Sequence, residues 1–210
     1  MWQENRNILM INVIKDVDLY EHVNEYDVTL IGTNIYGQMS NGIQLNVQLN
    51  YPYVFNMNLE TKYGDEKKLG TLLECAKDGE PTFCLCYIVK GNFRPDLEKD
   101  YLKYESLENC LKLVNIRYKG KNVACPLLGC SRFDGNGDKD RVYELFNKCI
   151  TDVNLTIYEY YDKSRYEQMK EVYDKEQEAK KRSYKEYHDL VAERKKKAEE
   201  RFKKNGHRRY

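Results

Sequence analysis

Short apolar runs alternate with amphipathic segments along the first three quarters of the chain. The run over residues 8–14 is rich in β-branched side chains and ends at a charged cluster, which predicts a buried strand. Residues 19–26 place apolar side chains at helical spacing, and residues 28–31 form a second apolar run. A loop bearing glycine and asparagine follows over residues 35–42. The order strand, helix, strand and loop indicates an α/β fold.

The same alternation continues toward residue 160. A helix predicted over residues 43–51 ends at Pro52. Two apolar runs flank the pair Asp78-Gly79, which is typical of a tight turn and predicts a hairpin over residues 71–89. The remaining predicted elements alternate between helix and strand and lie near residues 107–114, 122–128, 142–149 and 155–158. The pattern predicts a three-layer α/β/α fold with a mixed sheet, in which ligands bind at the carboxyl ends of strands.

The composition changes after residue 161. Glycine and proline are absent from there to Gly206, and alanine, lysine, glutamate, arginine and glutamine dominate, which predicts a helix of about forty residues. Its apolar positions are sparse, and Gln177 and Lys180 interrupt the seam of a coiled coil. We therefore divide the chain into a body, residues 1–160, and a charged helical extension, residues 161–210.

Charge is divided unevenly between the two parts. The extension carries a net charge of +6 and the body a net charge of −5. A basic extension favours contact with a nucleic acid, whereas lysine- and glutamate-rich helices are equally often solvated or docked on protein. Both interpretations stay open. The chain has no run near the roughly 18 apolar residues of a membrane span, and residues 1–7 do not resemble a secretory signal, so we expect no membrane contact.

The cysteines bear on the compartment and on metal binding. Seven are present, without a CxxC pair or a Cys/His cluster at zinc spacing, and several lie in apolar runs. We expect reduced, mostly buried thiols in a cytoplasmic protein, with no metal and no cofactor. The segment 134–138 lacks the ligand spacing of a calcium loop and predicts a solvated turn. Motifs of P-loop kinases, zinc proteases and serine hydrolases are absent from the sequence.

Two loops built from small residues follow buried strands. The first loop opens a helix, where free N–H groups and the helix dipole favour a phosphate, and consists of Gly37, Gln38, Met39, Ser40, Asn41, Gly42 and Ile43. The second loop begins at Gly129 and runs to Asp134. Either loop alone is more often an ordinary turn. Because the strands before them are expected to be neighbours, the two loops together predict a cleft that binds a diphosphate from both sides.

The order of these features resembles that of a macro domain. The landmarks are Asp16 after the first strand, the segment 32–34 and the first loop after the second strand, and the segment 124–130. The closing strand over residues 155–158 is similar to that of the compact macro domains that remove ADP-ribose from acidic residues or DNA, and of the ADP-ribose-1″-phosphate phosphatases. The resemblance covers residues 7–160 and leaves the extension unexplained.

The resemblance implies a role for each landmark. Asp16 would accept a hydrogen bond from the adenine amine, and Val17 would offer its backbone amide. The first loop would enclose the distal ribose and one phosphate, with Asn34 turned toward that ribose. Backbone amides of the second loop would bind the phosphates, at Gly129, Cys130, Ser131, Arg132 and Phe133. Two alternatives stay open: Asp16 caps the following helix, and Asn34 simply ends its strand.

The resemblance also implies a catalytic pair. In the glycohydrolases, a lysine in the strand after the first loop and helix attacks the anomeric carbon, and an aspartate in the second phosphate loop assists. Lys77 and Asp134 are the candidates here, although each is displaced by one residue from the family position and Ala76 occupies that of the lysine. In a strand one residue reverses the direction of a side chain. The alternative for Lys77 is an exposed lysine in a turn.

The function implied is binding of ADP-ribose, or of an ADP-ribosylated macromolecule, with hydrolysis of an ADP-ribosyl linkage on protein or nucleic acid. The alternatives are a non-catalytic reader or sequestering protein for ADP-ribose or a related nucleotide, and an ADP-ribose-1″-phosphate phosphatase. A third alternative is an interaction protein whose basic extension docks a partner. No histidine lies in either loop, so the sequence does not select the phosphatase.

Overall fold

The computed structural model describes residues 11–40, 42–91, 100–131 and 135–160, with seven further single positions in the C-terminal segment. The chain divides into two compact units, Met1–Tyr160 and Tyr161–Tyr210. In the second unit the described residues are helical and exposed, and they are Lys175, Glu178, Arg182, Glu186, Asp189, Glu193 and Lys196. The assignment of two domains stays a prediction.

The described body contains six strands in one mixed sheet. The strands are β1 Asn12–Lys15, β2 Val28–Asn34, β3 Leu72–Cys75, β4 Phe83–Val89, β5 Asn122–Pro126 and β6 Asn154–Glu159. Their order across the sheet is β1-β6-β5-β2-β4-β3. All neighbouring pairs are parallel except β3 and β4, which are antiparallel as the hairpin prediction required. Parallel strands need long crossovers, and helices supply them.

Helices cover both faces of the sheet. They are a 3-10 helix Leu19–Glu25, α1 Gly42–Asn50, α2 Pro52–Leu59, a short 3-10 helix Glu66–Lys68, α3 Tyr104–Arg117 and α4 Lys139–Cys149. Leu107 of α3 and Phe146 of α4 pack on one face, while Val47 of α1 and Val54 of α2 pack on the other. Every residue of β2 and β4 is buried between the two helical layers. The predicted three-layer α/β/α fold with a mixed sheet is confirmed.

Pro52 has two roles, of which the sequence revealed one. It ends α1 as predicted, but it also stands at the first position of α2, where the missing N–H costs no hydrogen bond. The helix α2 was therefore absent from the predicted series. This helix matters below because its last turn carries Asn58, which is buried beside the first loop.

The prediction that most of the cysteines are buried is confirmed. The seven thiols are free, and six of them are buried in the core of the body. Within the described ranges, no helix is long and apolar enough to cross a membrane. The same ranges contain no group of histidine, cysteine, aspartate and glutamate side chains suited to a metal ion.

Candidate ligand-binding site

The parallel strands bring the predicted binding segments to one edge of the sheet. Because β1, β6, β5, β2 and β4 run in the same direction, their carboxyl ends share that edge. Asp16 follows β1, the first loop follows β2, and the second loop follows β5. Carboxyl edges of parallel sheets are the usual ligand sites of α/β folds.

The carboxamide of Asn34 holds the start of the first loop. Its Oδ1 accepts hydrogen bonds from the backbone N–H of Tyr36 at 3.0 Å and of Gln38 at 3.2 Å. Its Nδ2 donates to the Gln38 carbonyl at 2.9 Å. Asn34 is buried, so these bonds are shielded from water. The side chain therefore does more than end a strand: it fixes the loop, and contact with a ribose stays a prediction.

The other residues of the first loop divide between backbone and core roles. Gly37 and Gly42 have φ values of +71° and +52°, in the left-handed region that favours glycine. Met39 is 1 % exposed and packs with Val47 in the core, so its side chain anchors the loop and faces away from any ligand. Ser40 is exposed, and Asn41 lies outside the described residues.

Three glycines meet at the base of the second loop and close it. We call this contact the neck, and its residues are Gly129, Gly135 and Gly137. The N–H of Gly137 donates to the Gly129 carbonyl at 2.9 Å, and that of Asn136 donates to the Ser131 carbonyl at 2.8 Å. A Cβ atom on Gly135 would lie 2.2 Å from the Gly129 oxygen. Gly135 is buried, so the predicted solvated turn is wrong at this base. The two arms of the loop meet so closely that no side chain fits between them.

Two sets of contacts connect parts of the predicted site. A Cβ atom on Gly32, in β2, would lie 3.7 Å from the Gly129 nitrogen, so the strand before the first loop touches the second loop. Val17 and Ile43 both pack against the apolar cluster that contains Tyr158. The structure therefore brings Val17 and Ile43 to one apolar cluster and places the start of the second loop against β2.

Asp16 has an unusual backbone conformation. Its φ is +59°, in the left-handed region where non-glycine residues are uncommon, and its N–H donates to the Glu159 carbonyl at 3.0 Å. Asp18, not Asp16, caps the 3-10 helix, because its Oδ1 accepts from the Tyr20 N–H at 3.0 Å. The alternative that Asp16 is a helix cap is therefore wrong. Its exposed carboxylate has no hydrogen-bond partner among the described residues.

Lys77 is not brought to this edge. It lies in the turn between β3 and β4, and because these strands are antiparallel, the turn lies at the amino end of β4. Its ammonium nitrogen is 3.6 Å from the Glu80 carboxylate and 5.6 Å from the centre of the Tyr53 ring. The structure separates Lys77 from both loops and favours the alternative of an exposed turn lysine.

Lys90 lies at the carboxyl edge, as Lys15 does at the end of β1, but Lys90 is next to β2 in the sheet. It directly follows β4, which pairs with β2. A Cβ atom on the next residue, Gly91, would lie 2.5 Å from the Tyr36 ring and 3.7 Å from Asn34 Cβ, so this segment touches the residues that lead into the first loop. The Lys90 ammonium pairs with the Glu66 carboxylate, which raises the pKa of Lys90 above its ordinary value.

The architecture has counterparts among solved structures, whereas no family model and no curated protein matches the chain. The DarG macrodomain of Mycobacterium tuberculosis superposes with a TM-score of 0.52 and 18 % identity, covering 72 % of this chain and 99 % of that one. The DarG macrodomain of Thermus aquaticus gives 0.56 and 14 %, covering 71 % and 98 %. Thermosipho africanus DarTG in complex with ADP-ribose gives 0.55 and 18 %, covering 74 % of this chain and 43 % of that one. The body has the macrodomain fold.

Part of the second loop of the body is not described. Arg132, Phe133 and Asp134 lie outside the described residues, so the predicted roles of these three in binding and catalysis are not located. Cys130 is described and half-buried, and burial raises the pKa of its thiol to about 12. The thiol is therefore protonated at neutral pH and supplies no nucleophile.

Sequence reasoning missed Lys90, although a signal was present. The apolar run 83–89 ends at Lys90 and is followed by Gly91, which is the pattern of a strand that leads into a loop. Spacing along the chain directed attention to the preceding strand, β3. Only the sheet order shows that β4, rather than β3, lies next to β2.

Proposed function

We propose that the macrodomain binds ADP-ribose at the carboxyl edge of its sheet and hydrolyses an ADP-ribosyl linkage on protein or nucleic acid. The observation that carries this proposal is that β2, which leads into the first loop, touches the second loop at Gly129 and pairs with β4, which Lys90 directly follows. The first loop opens α1, where backbone N–H groups have no partner within the helix and favour a phosphate. A similar structure, that of Thermosipho africanus DarTG, was solved in complex with ADP-ribose.

The proposed ligand has one orientation in this cleft. Its adenine lies at Asp16 and Val17, where an exposed carboxylate can accept the exocyclic amine. Its diphosphate lies between the first loop and the second loop, both of which offer backbone amides. The distal ribose then lies beside Asn34 and Lys90, which the contact between Gly91 and Tyr36 holds next to the first loop.

Lys90 is the proposed nucleophile. As a neutral amine, Lys90 Nζ attacks the anomeric carbon of the distal ribose and forms a C–N bond while the bond to the target breaks. The departing oxygen or nitrogen takes the proton that the new ammonium adduct releases. Water then cleaves the adduct, giving ADP-ribose and the original lysine. Because pairing with Glu66 raises the pKa of Lys90, the reactive amine forms only when this ion pair separates.

Two measurements test the proposed function. Titration calorimetry with ADP-ribose reports binding, and release of ADP-ribose from modified protein or modified DNA reports hydrolysis. Binding with release supports the proposal. Binding without release from either substrate leaves the non-catalytic reader, and the absence of binding leaves the interaction protein.

The adenine contact leads to a direct prediction at Asp16. Asp16→Asn keeps a side chain that tolerates the left-handed backbone but removes the carboxylate, so ADP-ribose binding should weaken by about 1–3 kcal/mol. Calorimetry on folded variants measures this loss. The matched control is Asp18→Asn, which preserves a good capping residue two positions away and should bind as the parent does. Equal affinities for both variants would remove Asp16 from the site.

The basic extension is proposed to contact nucleic acid. Its net charge of +6 opposes the −5 of the body, so the extension is the part expected to bind a polyanion. Truncation after Tyr160 should abolish a salt-sensitive, sequence-independent affinity for nucleic acid, measured by filter binding across a salt series. If the truncated chain binds equally well, the extension is a solvated or protein-docking segment. The reduced state of the seven thiols agrees with a cytoplasmic location, which is part of this proposal.

A further inference from the structure

Three buried side-chain atoms lack a hydrogen-bond partner within the described ranges: Thr29 Oγ1, Thr33 Oγ1 and Asn58 Nδ2. Thr29 lies near the amino end of β2, away from the candidate site. Asn58, in the last turn of α2, is 1 % exposed. An unpaired donor at such a position lowers the stability of the free protein, and native proteins contain few of them. Its position beside the first loop is therefore informative.

Asn58 is held firmly by its other atoms. The Tyr87 hydroxyl donates to Asn58 Oδ1 at 2.7 Å, and both side chains are buried. The Asn58 backbone carbonyl accepts from Thr61 Oγ1 at 2.7 Å, and that oxygen in turn accepts from Lys68 Nζ at 2.9 Å. The Tyr87 bond fixes the orientation of the carboxamide before any ligand arrives, and the Thr61 bond holds the backbone at the end of α2.

The unpaired side of the carboxamide faces the first loop. A Cβ atom on Gly37 would lie 3.7 Å from Asn58 Nδ2 and 3.8 Å from Asn58 Cγ. Exchanging the oxygen and nitrogen of the carboxamide would still leave one polar atom unpaired on the Gly37 side, since the Tyr87 hydroxyl can donate or accept. Gly37 has φ +71°, a conformation available to glycine at low cost. Its N–H donates to the Asn34 carbonyl at 3.3 Å, and the Gln38 N–H donates to Asn34 Oδ1 at 3.2 Å, so this turn is held beside the Asn58 amide in the free protein.

We propose that Asn58 is a positioning residue whose unpaired amide binds a backbone carbonyl of the first loop at Gly37 when that loop closes on ADP-ribose. This proposal rests on the proposed function. The hydrogen bond that is missing in the free protein forms in the complex, so ligand binding recovers the free energy lost by burying the donor. Asn58 thereby favours the closed loop without touching the ligand, and the Tyr87 hydroxyl keeps it aimed at Gly37.

The test is a double variant, Asn58→Leu with Tyr87→Phe, which replaces both partners of the buried hydrogen bond by apolar groups of similar size. Removing both partners together is nearly neutral for folding, so the thermal midpoint of the free protein should be unchanged or raised. Affinity for ADP-ribose should fall roughly ten-fold, measured by calorimetry. Hydrogen exchange should also show that ADP-ribose protects the amides of residues 37–40 in the parent but less so in the double variant.

Two further variants complete the test. Thr29→Val removes another unpaired buried group, far from the loop, and should leave the affinity for ADP-ribose unchanged. Asn58→Asp keeps the shape but presents an acceptor to a carbonyl, and should lose at least as much affinity as the double variant. A parent protein that does not bind ADP-ribose overturns the proposed function. A parent that binds, with folded double and Asn58→Asp variants that bind equally well, overturns the role of Asn58 alone.

Discussion

Gly135→Ala is expected to disrupt the second loop and with it the binding of ADP-ribose. The new Cβ atom would lie 2.2 Å from the Gly129 oxygen and 2.9 Å from its Cα, so the backbone itself must move. Overpacking of this kind costs about 1–3 kcal/mol or more in the free energy of unfolding. Displacing the loop by an ångström should lower turnover on the order of 100-fold. Thermal unfolding and calorimetry with ADP-ribose measure the two effects.

The matched control for this prediction is Gly120→Ala. Gly120 has φ +74°, but a Cβ atom there would have nothing within 4 Å. The substitution therefore carries only the conformational cost of a left-handed alanine, about 1–2 kcal/mol, and should leave ADP-ribose affinity unchanged. A Gly135→Ala protein with the stability and affinity of the parent would show that the neck is not closed as described.

Lys90→Ala should lower turnover by a factor of about 10²–10⁴ while ADP-ribose binding persists. The reason is that a nucleophile acts in the transition state, whereas the loops hold the ligand in the ground state. Release of ADP-ribose from modified protein and DNA gives the rate, and calorimetry gives the affinity of the same preparation.

Lys77→Ala is the control for Lys90→Ala, since Lys77 lies at the opposite edge of the sheet. It should retain the parent rate, because its loss removes only the contacts with Glu80 and Tyr53. The reverse outcome, with Lys77 essential and Lys90 dispensable, would contradict the assignment made from the sheet. Loss of binding in Lys90→Ala would instead make this residue part of the ligand contact.

The sheet was largely predictable from sequence because its central strands are apolar runs. Every residue of β4 is buried, so its apolar run 83–89 stands out, and the Asp78-Gly79 turn before it identified the hairpin with β3. Helix α2 was not predicted because Pro52 was interpreted only as the end of the preceding helix. The polar residues of α2 also weaken its apolar pattern, and Asn58 is buried despite being polar.

The site was less predictable than the sheet because its contacts join residues that are distant in sequence. Asp16 became a candidate through the resemblance to a macro domain, and the first loop was found through its small residues after a buried strand. Lys90 becomes a candidate only when β4 is known to pair with β2. Gly135 looked solvated among its polar neighbours, and only its approach to Gly129 shows that it is buried. The composition of a short segment does not show which distant residue it contacts.

The neck has a consequence for divergence among proteins of this architecture. The Gly137 to Gly129 hydrogen bond joins the two arms of the loop at their base, while α4 begins independently at its Asp138 cap. Insertions or deletions between Ser131 and Gly135 therefore leave β5 and α4 at fixed positions. That segment is then free to vary in length and chemistry, whereas glycine is required at the base. Substitutions that change the substrate should therefore accumulate in that segment, whereas substitutions at the glycines of the base would destabilise the fold.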